Sequence, residues 1–156
     1  MGVKWYAGGV FERERRLGKA IAAKQLNRVE EGDFVYNRLF AWKGSFAVVG
    51  NGYAGGYVSG EFPVLRAKPG LILEEFLYRY FSRPQVWKQI EHQSTGTTSV
   101  SRNRWKEEQL FAWHISLPPL HEQGRIVAIL HAVDEAINAN GEVIARMRDL
   151  KKALAH

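Results

Sequence analysis

Leu117-Pro118-Pro119-Leu120-His121-Glu122-Gln123-Gly124-Arg125-Ile126-Val127 is the stretch whose reading decides the fold of this chain. Each proline lacks a backbone N–H and fixes φ, so no regular strand or helix runs through the pair. An apolar repeat begins straight after it. Ile126, Leu130, Val133, Ile137, Asn140, Ile144, Met147, Lys151 and Leu154 stand alternately four and three apart, the spacing of a heptad seam. The pattern lasts about four heptads, roughly 40–45 Å at the helical rise. The polar Asn140 on the seam is a device that sets register at some cost in stability. Gly141 costs about 1 kcal/mol against alanine inside a helix and is expected to mark a local bend. One amphipathic helix packed on its own domain is the alternative. The length of the pattern and Asn140 favour a helix pair, with Ile126, Leu130, Val133, Ile137, Asn140, Ile144, Met147 and Leu154 as its dimerisation face.

Upstream, the texture changes twice. Residues 10–31 are charged and are expected to form short irregular or helical pieces. From Asp33 onward the runs Phe34-Val35-Tyr36, Ser45-Phe46-Ala47-Val48-Val49, Tyr57-Val58-Ser59 and Phe62-Pro63-Val64-Leu65 are rich in β-branched and aromatic residues and predict strands. Pro63 points to an edge strand or a bulge. Leu73, Phe76, Leu77 and Tyr80 then fall at helical spacing within 71–81. Pro84 suits the first turn of a second helix through about His92. Residues 94–104 are polar and predict an exposed loop, and Phe111-Ala112-Trp113-His114-Ile115-Ser116 alternates like a short strand leading to the prolines. The fold class is therefore α+β: a compact mixed domain over 1–117, then a long coiled-coil-type helix over 118–156.

A net charge of +6 over 156 residues and a pI near 9.7 bias the chain toward polyanions, nucleic acid first. With no cysteine, disulfides and thiolate zinc sites are excluded. No apolar run approaches the roughly 18 residues of a membrane span, and the start has no signal-peptide core and no myristoylation signal. A cytoplasmic location is expected, with no membrane partner.

Catalytic signatures fail one by one. Gly50-Asn51-Gly52-Tyr53-Ala54-Gly55 matches a dinucleotide fingerprint in letters, but the strand-like Tyr57-Val58-Ser59 follows where a helix must open. Asn51-Gly52 between two strand-like runs instead predicts a hairpin turn. Leu117 and Leu120 around the prolines lack the amide and the stacking ring that an amino-methyltransferase needs. Asp149-Leu150-Lys151 has a nuclease spacing but lies on the seam helix. Arg125 stands where His121-Glu122 would need a second zinc-binding histidine. The expectation is a non-enzymatic protein with no cofactor and no metal.

Two segments look like nucleic-acid readers. Tyr36-Asn37-Arg38-Leu39-Phe40-Ala41-Trp42-Lys43-Gly44 interleaves planar, amide and cationic side chains. The loop 94–104 is dense in hydroxyls and carries Arg102, Asn103 and Arg104. Arginine pairs bidentately with guanine and asparagine with adenine, while Ser, Thr and Lys hold phosphates. The candidate DNA-binding residues are Tyr36, Asn37, Arg38, Trp42, Lys43, Thr97, Thr98, Ser101, Arg102, Asn103 and Arg104. Tyr36, Phe40 and Trp42 fit a protein core equally well, and a threonine-rich loop fits plain solvation.

The Leu-Pro-Pro-Leu-x-Glu-Gln-x-Arg-Ile-Val element resembles the end of a target recognition domain in the DNA-specificity subunit of type I restriction-modification systems. Gly32-Asp33-Phe34-Val35-Tyr36-Asn37-Arg38, Tyr57-Val58-Ser59-Gly60-Glu61-Phe62-Pro63-Val64, Ser94-Thr95-Gly96-Thr97-Thr98 and Ser101-Arg102-Asn103 are similar to other stretches of that family. The resemblance implies a DNA target recognition domain over 1–117 that binds one half of a bipartite double-stranded site, and a spacer helix over 118–156. It implies docking of methyltransferase subunits and, through them, the restriction subunit, with no catalytic residues in this chain. One recognition domain stands where the typical subunit has two, and less strand-forming sequence precedes the charged region. The chain is thus expected to be a half-subunit that forms a homodimer or pairs with another specificity chain, or else a truncated product. The alternative function is an assembly scaffold that pairs through its helix without reading DNA.

Overall fold

Phe34, Val35 and Tyr36 are three consecutive residues with no more than 1% of their surface exposed. The rest of the domain is arranged around them. The structure, a computed structural model, describes residues 1–14, 23, 25–94 and 104–154. In chain order its elements are β1 (Gly2–Val3), β2 (Val10–Phe11), β3 (Leu26–Arg28), β4 (Phe34–Tyr36), β5 (Phe46–Val48), β6 (Tyr57–Ser59), β7 (Val64–Leu65), α1 (Glu74–Phe81), α2 (Pro84–Gln93), α3 (Glu107–Phe111) and α4 (Leu120–Leu154). Short 3-10 turns occupy Ala41–Lys43 and Asn51–Tyr53.

The strands make three small antiparallel sheets: β1 with β2, β3 with β6, and β5-β4-β7. Side chains alternate across β4 and β5, so each face of the central sheet meets a different core. Phe34, Tyr36 and Phe46 face Phe81 of α1, Val86 and Ile90 of α2, and Trp105. Val35, Ala47 and Val49 face Val3, Val29, Val58 and Phe62 from the flanking sheets and loops. A strand covered on both faces reads as an unbroken apolar run, which is how Phe34-Val35-Tyr36 reads. The helix-side core is aromatic. Phe46 and Phe81 stack with centroids 5.0 Å apart, and Trp105 meets Tyr36 edge-on at 5.5 Å and Trp113 at 5.6 Å.

The expected α1 and α2 are present, with Pro84 in the first turn of α2, and β7 is an edge strand, as Pro63 requires. Three local readings are corrected. The charged 10–31 region supplies two strands, β2 and β3, which exist because β1 and β6 pair with them. Asn51–Tyr53 is a turn but not a hairpin, because β5 and β6 leave it for different sheets. Phe111 closes α3, and Trp113 donates its backbone N–H to the Leu110 carbonyl at 3.0 Å, so no strand runs through 111–116.

Helix α4 is 35 residues long, roughly 50 Å at the helical rise, and runs unbroken through Gly141. Its start is bolted to the domain. The fully buried Gln123 side chain accepts the Leu73 N–H at 2.9 Å and donates to the carbonyls of Leu71 at 3.1 Å and Pro118 at 2.8 Å. About three turns further on, Asp134 pairs with Arg79 of α1. From Glu135 to Leu154 every residue is exposed. The seam lies open: Val133 is 48% exposed, Ile137 61%, Ile144 50% and Met147 65%, while Ile126 is half-buried near the domain. Packing on its own domain thus accounts for only the first four turns or so of the helix.

Candidate nucleic-acid interface

The segment after β4 is a tight, hydrogen-bonded knuckle. Asn37 Oδ1 accepts the Leu39 N–H at 3.0 Å, an Asx-type turn, and the Leu39 carbonyl accepts Trp42 Nε1 at 3.1 Å. The 3-10 turn Ala41–Lys43 then closes on Gly44 at φ +69°. Only glycine suits this position twice over: the backbone is left-handed, and an added Cβ would fall inside the Trp87 indole. Ala41 points into the core, Trp42 packs half-buried against it, and the Lys43 ammonium projects over ring faces, 3.9 Å from the Trp5 centroid and 4.9 Å from that of Trp42.

The arginines are held by carboxylates. Arg38 makes a bidentate pair with Glu107 and donates to the Gly60 carbonyl at 2.8 Å. Glu107 hydrogen bonding and charge raise the Arg38 pKa further. Burial pushes the Glu107 carboxyl up, but its hydrogen bonds from Arg38 and backbone outweigh this and leave it below the usual value. Arg104 pairs with Glu61 at 3.0 Å. Arg66 is 67% exposed at its side chain yet oriented at 2.7 Å by the buried carboxylate of Asp33, which also accepts the Glu30 N–H. Arg28, Arg38, Arg66, Glu107 and Phe111 line a polar cleft of about 550 Å³ beside the β7 edge.

The sequence-predicted residues thus separate. Asn37, Arg38, Trp42 and Lys43 share the knuckle, and Arg104 sits beside it, since Arg38 donates its backbone N–H to Glu61 and accepts that of Trp105. Tyr36 is corrected to a core residue: it is fully buried against Phe46 and Trp105, and burial raises its hydroxyl pKa. Thr97, Thr98, Ser101, Arg102 and Asn103 lie outside the described residues. Sequence reasoning missed Trp5 and Tyr6, whose rings come to the same surface through the β1–β2 connection. The adjacency of two large aromatics between Lys4 and Gly8-Gly9 was the available signal. Among the described residues no group of His, Asp and Glu is arranged to hold a metal, and no helix is long and apolar enough to cross a membrane.

The model of the type I restriction modification DNA specificity domain matches residues 3–146. This chain belongs to that family. The fold agrees. A crystal structure of the HsdS subunit from Thermoanaerobacter tengcongensis superposes with a TM-score of 0.71 at 23% identity, over 88% of this chain and 35% of that one. A chain from a structure of the type I restriction-modification system, described for its complex assembly and conformational transition, superposes at 0.57 and 24% identity, over 85% and 30%. This specificity-family chain therefore spans about a third of the length of these solved chains. No curated protein matches it significantly.

Proposed function

We propose that this chain is a DNA-binding specificity module of a type I restriction-modification system. In this reading residues 1–117 bind one half of a bipartite duplex site, and residues 118–156 form the spacer and pairing helix. The chain itself is non-catalytic and directs a methyltransferase subunit and, through it, a restriction subunit. The match of the specificity-domain family along residues 3–146 carries the reading. Asn37, Arg38, Trp42, Lys43 and Arg104 are the described residues proposed to face DNA, with Thr97, Thr98, Ser101, Arg102 and Asn103 from the polar loop. The exposed seam of α4 is proposed to pair with a second copy or another specificity chain, since a bipartite site needs two recognition domains and an apolar stripe of this length marks an interaction surface.

The test is a duplex gel shift across a salt series, with the methyltransferase subunit present. Binding by phosphate neutralisation releases counterions, so affinity falls steeply as salt rises. A flat salt response, or no shift at low salt, refutes DNA binding. One observation favours a second reading, a scaffold that pairs through α4 without reading DNA: Arg38 and Arg104 are both engaged by carboxylates of their own chain. Under that reading helix-dependent assembly survives while the shift is absent.

A further inference from the structure

The tip of the β1–β2 connection displays two large aromatics, Trp5 at 42% and Tyr6 at 66% exposed. Their backbone is unusual. Tyr6 and Ala7 are both left-handed, at φ +56° and +54°, a conformation that costs any residue with a side chain. Three hydrogen bonds hold it: Tyr6 N–H to the Lys43 carbonyl and Ala7 N–H to the Gly44 carbonyl, each at 2.8 Å, and Tyr78 Oη to the Ala7 carbonyl at 2.7 Å. Two of these acceptors belong to the knuckle after β4, so backbone hydrogen bonds tie tip and knuckle together. The Trp5 ring leans on Phe40 at 5.1 Å and Tyr6 on Trp87 at 5.9 Å, each leaving ring surface open to solvent.

The charge at this surface differs from that in the arginine cleft. Arg28, Arg38, Arg66 and Arg104 each have a carboxylate partner. Among the described residues the Lys43 ammonium meets only the ring faces of Trp5 and Trp42, which do not neutralise it, and Lys4 is exposed next to Trp5 in sequence. Ring faces around an uncompensated cation, on a chain of net charge +6, match a backbone strand that alternates apolar sugar surface with phosphates.

We propose that Trp5, Tyr6 and Lys43 together form a contact surface for one sugar–phosphate strand of duplex DNA, the two rings packing against deoxyribose and the Lys43 ammonium against a phosphate. This rests on the DNA-binding reading above and extends it to a segment of chain that the reading did not include. The backbone strain serves to hold the rings outward before DNA arrives, so little ordering remains for binding to overcome.

The experiment measures anisotropy of a fluorescein-labelled duplex of mixed sequence against the full chain assembled with its methyltransferase subunit, through a salt series. Lys43→Gln leaves every backbone hydrogen bond of the tip in place; it is expected to weaken all duplexes alike and to reduce the slope of log affinity against log salt by about 0.9. Tyr6→Ala is expected to weaken binding about threefold or more through lost apolar contact with the sugar, while Tyr6→Phe keeps wild-type affinity. Unchanged affinity and slope in Lys43→Gln and Tyr6→Ala, beside a wild type that binds, overturns the proposal and leaves the DNA reading standing. Variants that bind DNA normally but lose the methyltransferase subunit also overturn it, and make the surface a protein contact. A wild-type complex that binds no duplex at low salt removes both readings together.

Discussion

The side chain of Gln123, in the first turn of α4, accepts the backbone N–H of Leu73 at 2.9 Å, although fifty residues separate them. With its two donor bonds to Leu71 and Pro118, this fully buried side chain makes three polar contacts. It is the pin that joins the long helix to the domain. Replacing it with leucine removes three hydrogen bonds, each worth about 0.5–1.5 kcal/mol net. The expected result for Gln123→Leu is a fall in Tm of roughly 2–4 °C per kcal/mol, read by calorimetry. A Tm equal to wild type would show that the junction rests on apolar contacts alone.

Gly32 and Gly44 share a left-handed backbone, at φ +83° and +69°, but not a neighbourhood. Gly32 faces open space, whereas Gly44 faces the Trp87 indole. Gly32→Ala is expected to cost only the backbone penalty, about 1–2 kcal/mol. Gly44→Ala adds displacement of Trp87, whose Nε1 donates to the Phe81 carbonyl at 2.6 Å, and is expected to cost clearly more. Urea denaturation of the two variants gives the ranking, and equal midpoints would contradict it.

The Arg38–Glu107 pair predicts an acid limb in stability. Glu107 has a folded pKa below its ordinary value of 4.5. An acid shifted down in the folded state contributes stability that is complete above the unfolded pKa and disappears as pH falls through the folded one. The contribution therefore begins to fade near pH 4.5 and keeps falling toward more acid conditions. In Glu107→Gln this part of the slope of Tm against pH is expected to flatten, with Tm lower than wild type near neutrality. A slope identical in both proteins would assign the acid limb to other carboxylates.

The open seam of α4 predicts self-association. Leu130→Glu combined with Ile137→Glu places two charges on the exposed stripe, and each residue is more than a third exposed in the single chain, at 37% and 61%. Sedimentation is expected to show wild type heavier than one chain at tens of micromolar and the double variant as a monomer, by analogy with helix pairs of heptad spacing. Monomers in both, with the same Tm, would exclude pairing between copies of this chain.

Much of the architecture was legible because its signals are local. The heptad spacing from Ile126 to Leu154 needs only the helical period, and α4 spans it, starting at Leu120 just after Pro118-Pro119. Phe34-Val35-Tyr36 and Ser45-Phe46-Ala47-Val48-Val49 predicted strands by composition; that a separate core covers each face came only from the structure. The two- and three-residue strands β1, β2 and β3 carry no such signal, since Leu26–Arg28 is a strand only because Tyr57–Ser59 lies beside it. The Phe111–Ser116 alternation misled for the complementary reason: its letters suit a strand, but the described residues offer it no partner edge.

The candidate surface shows the same division. The sequence determined which residue types were available: arginines, a lysine, an amide and aromatics clustered around 36–44. It could not say which of them point outward. Tyr36 and Trp42 stand six residues apart in one motif, yet Tyr36 is sealed under Trp105 while Trp42 shares its ring face with the Lys43 cation. Only the tertiary structure brought Trp5 beside Lys43 and set Glu107 against Arg38, because such contacts are made between segments dozens of residues apart. Local periodicity fixes what a segment becomes; exposure and charge pairing depend on what the rest of the chain lays against it.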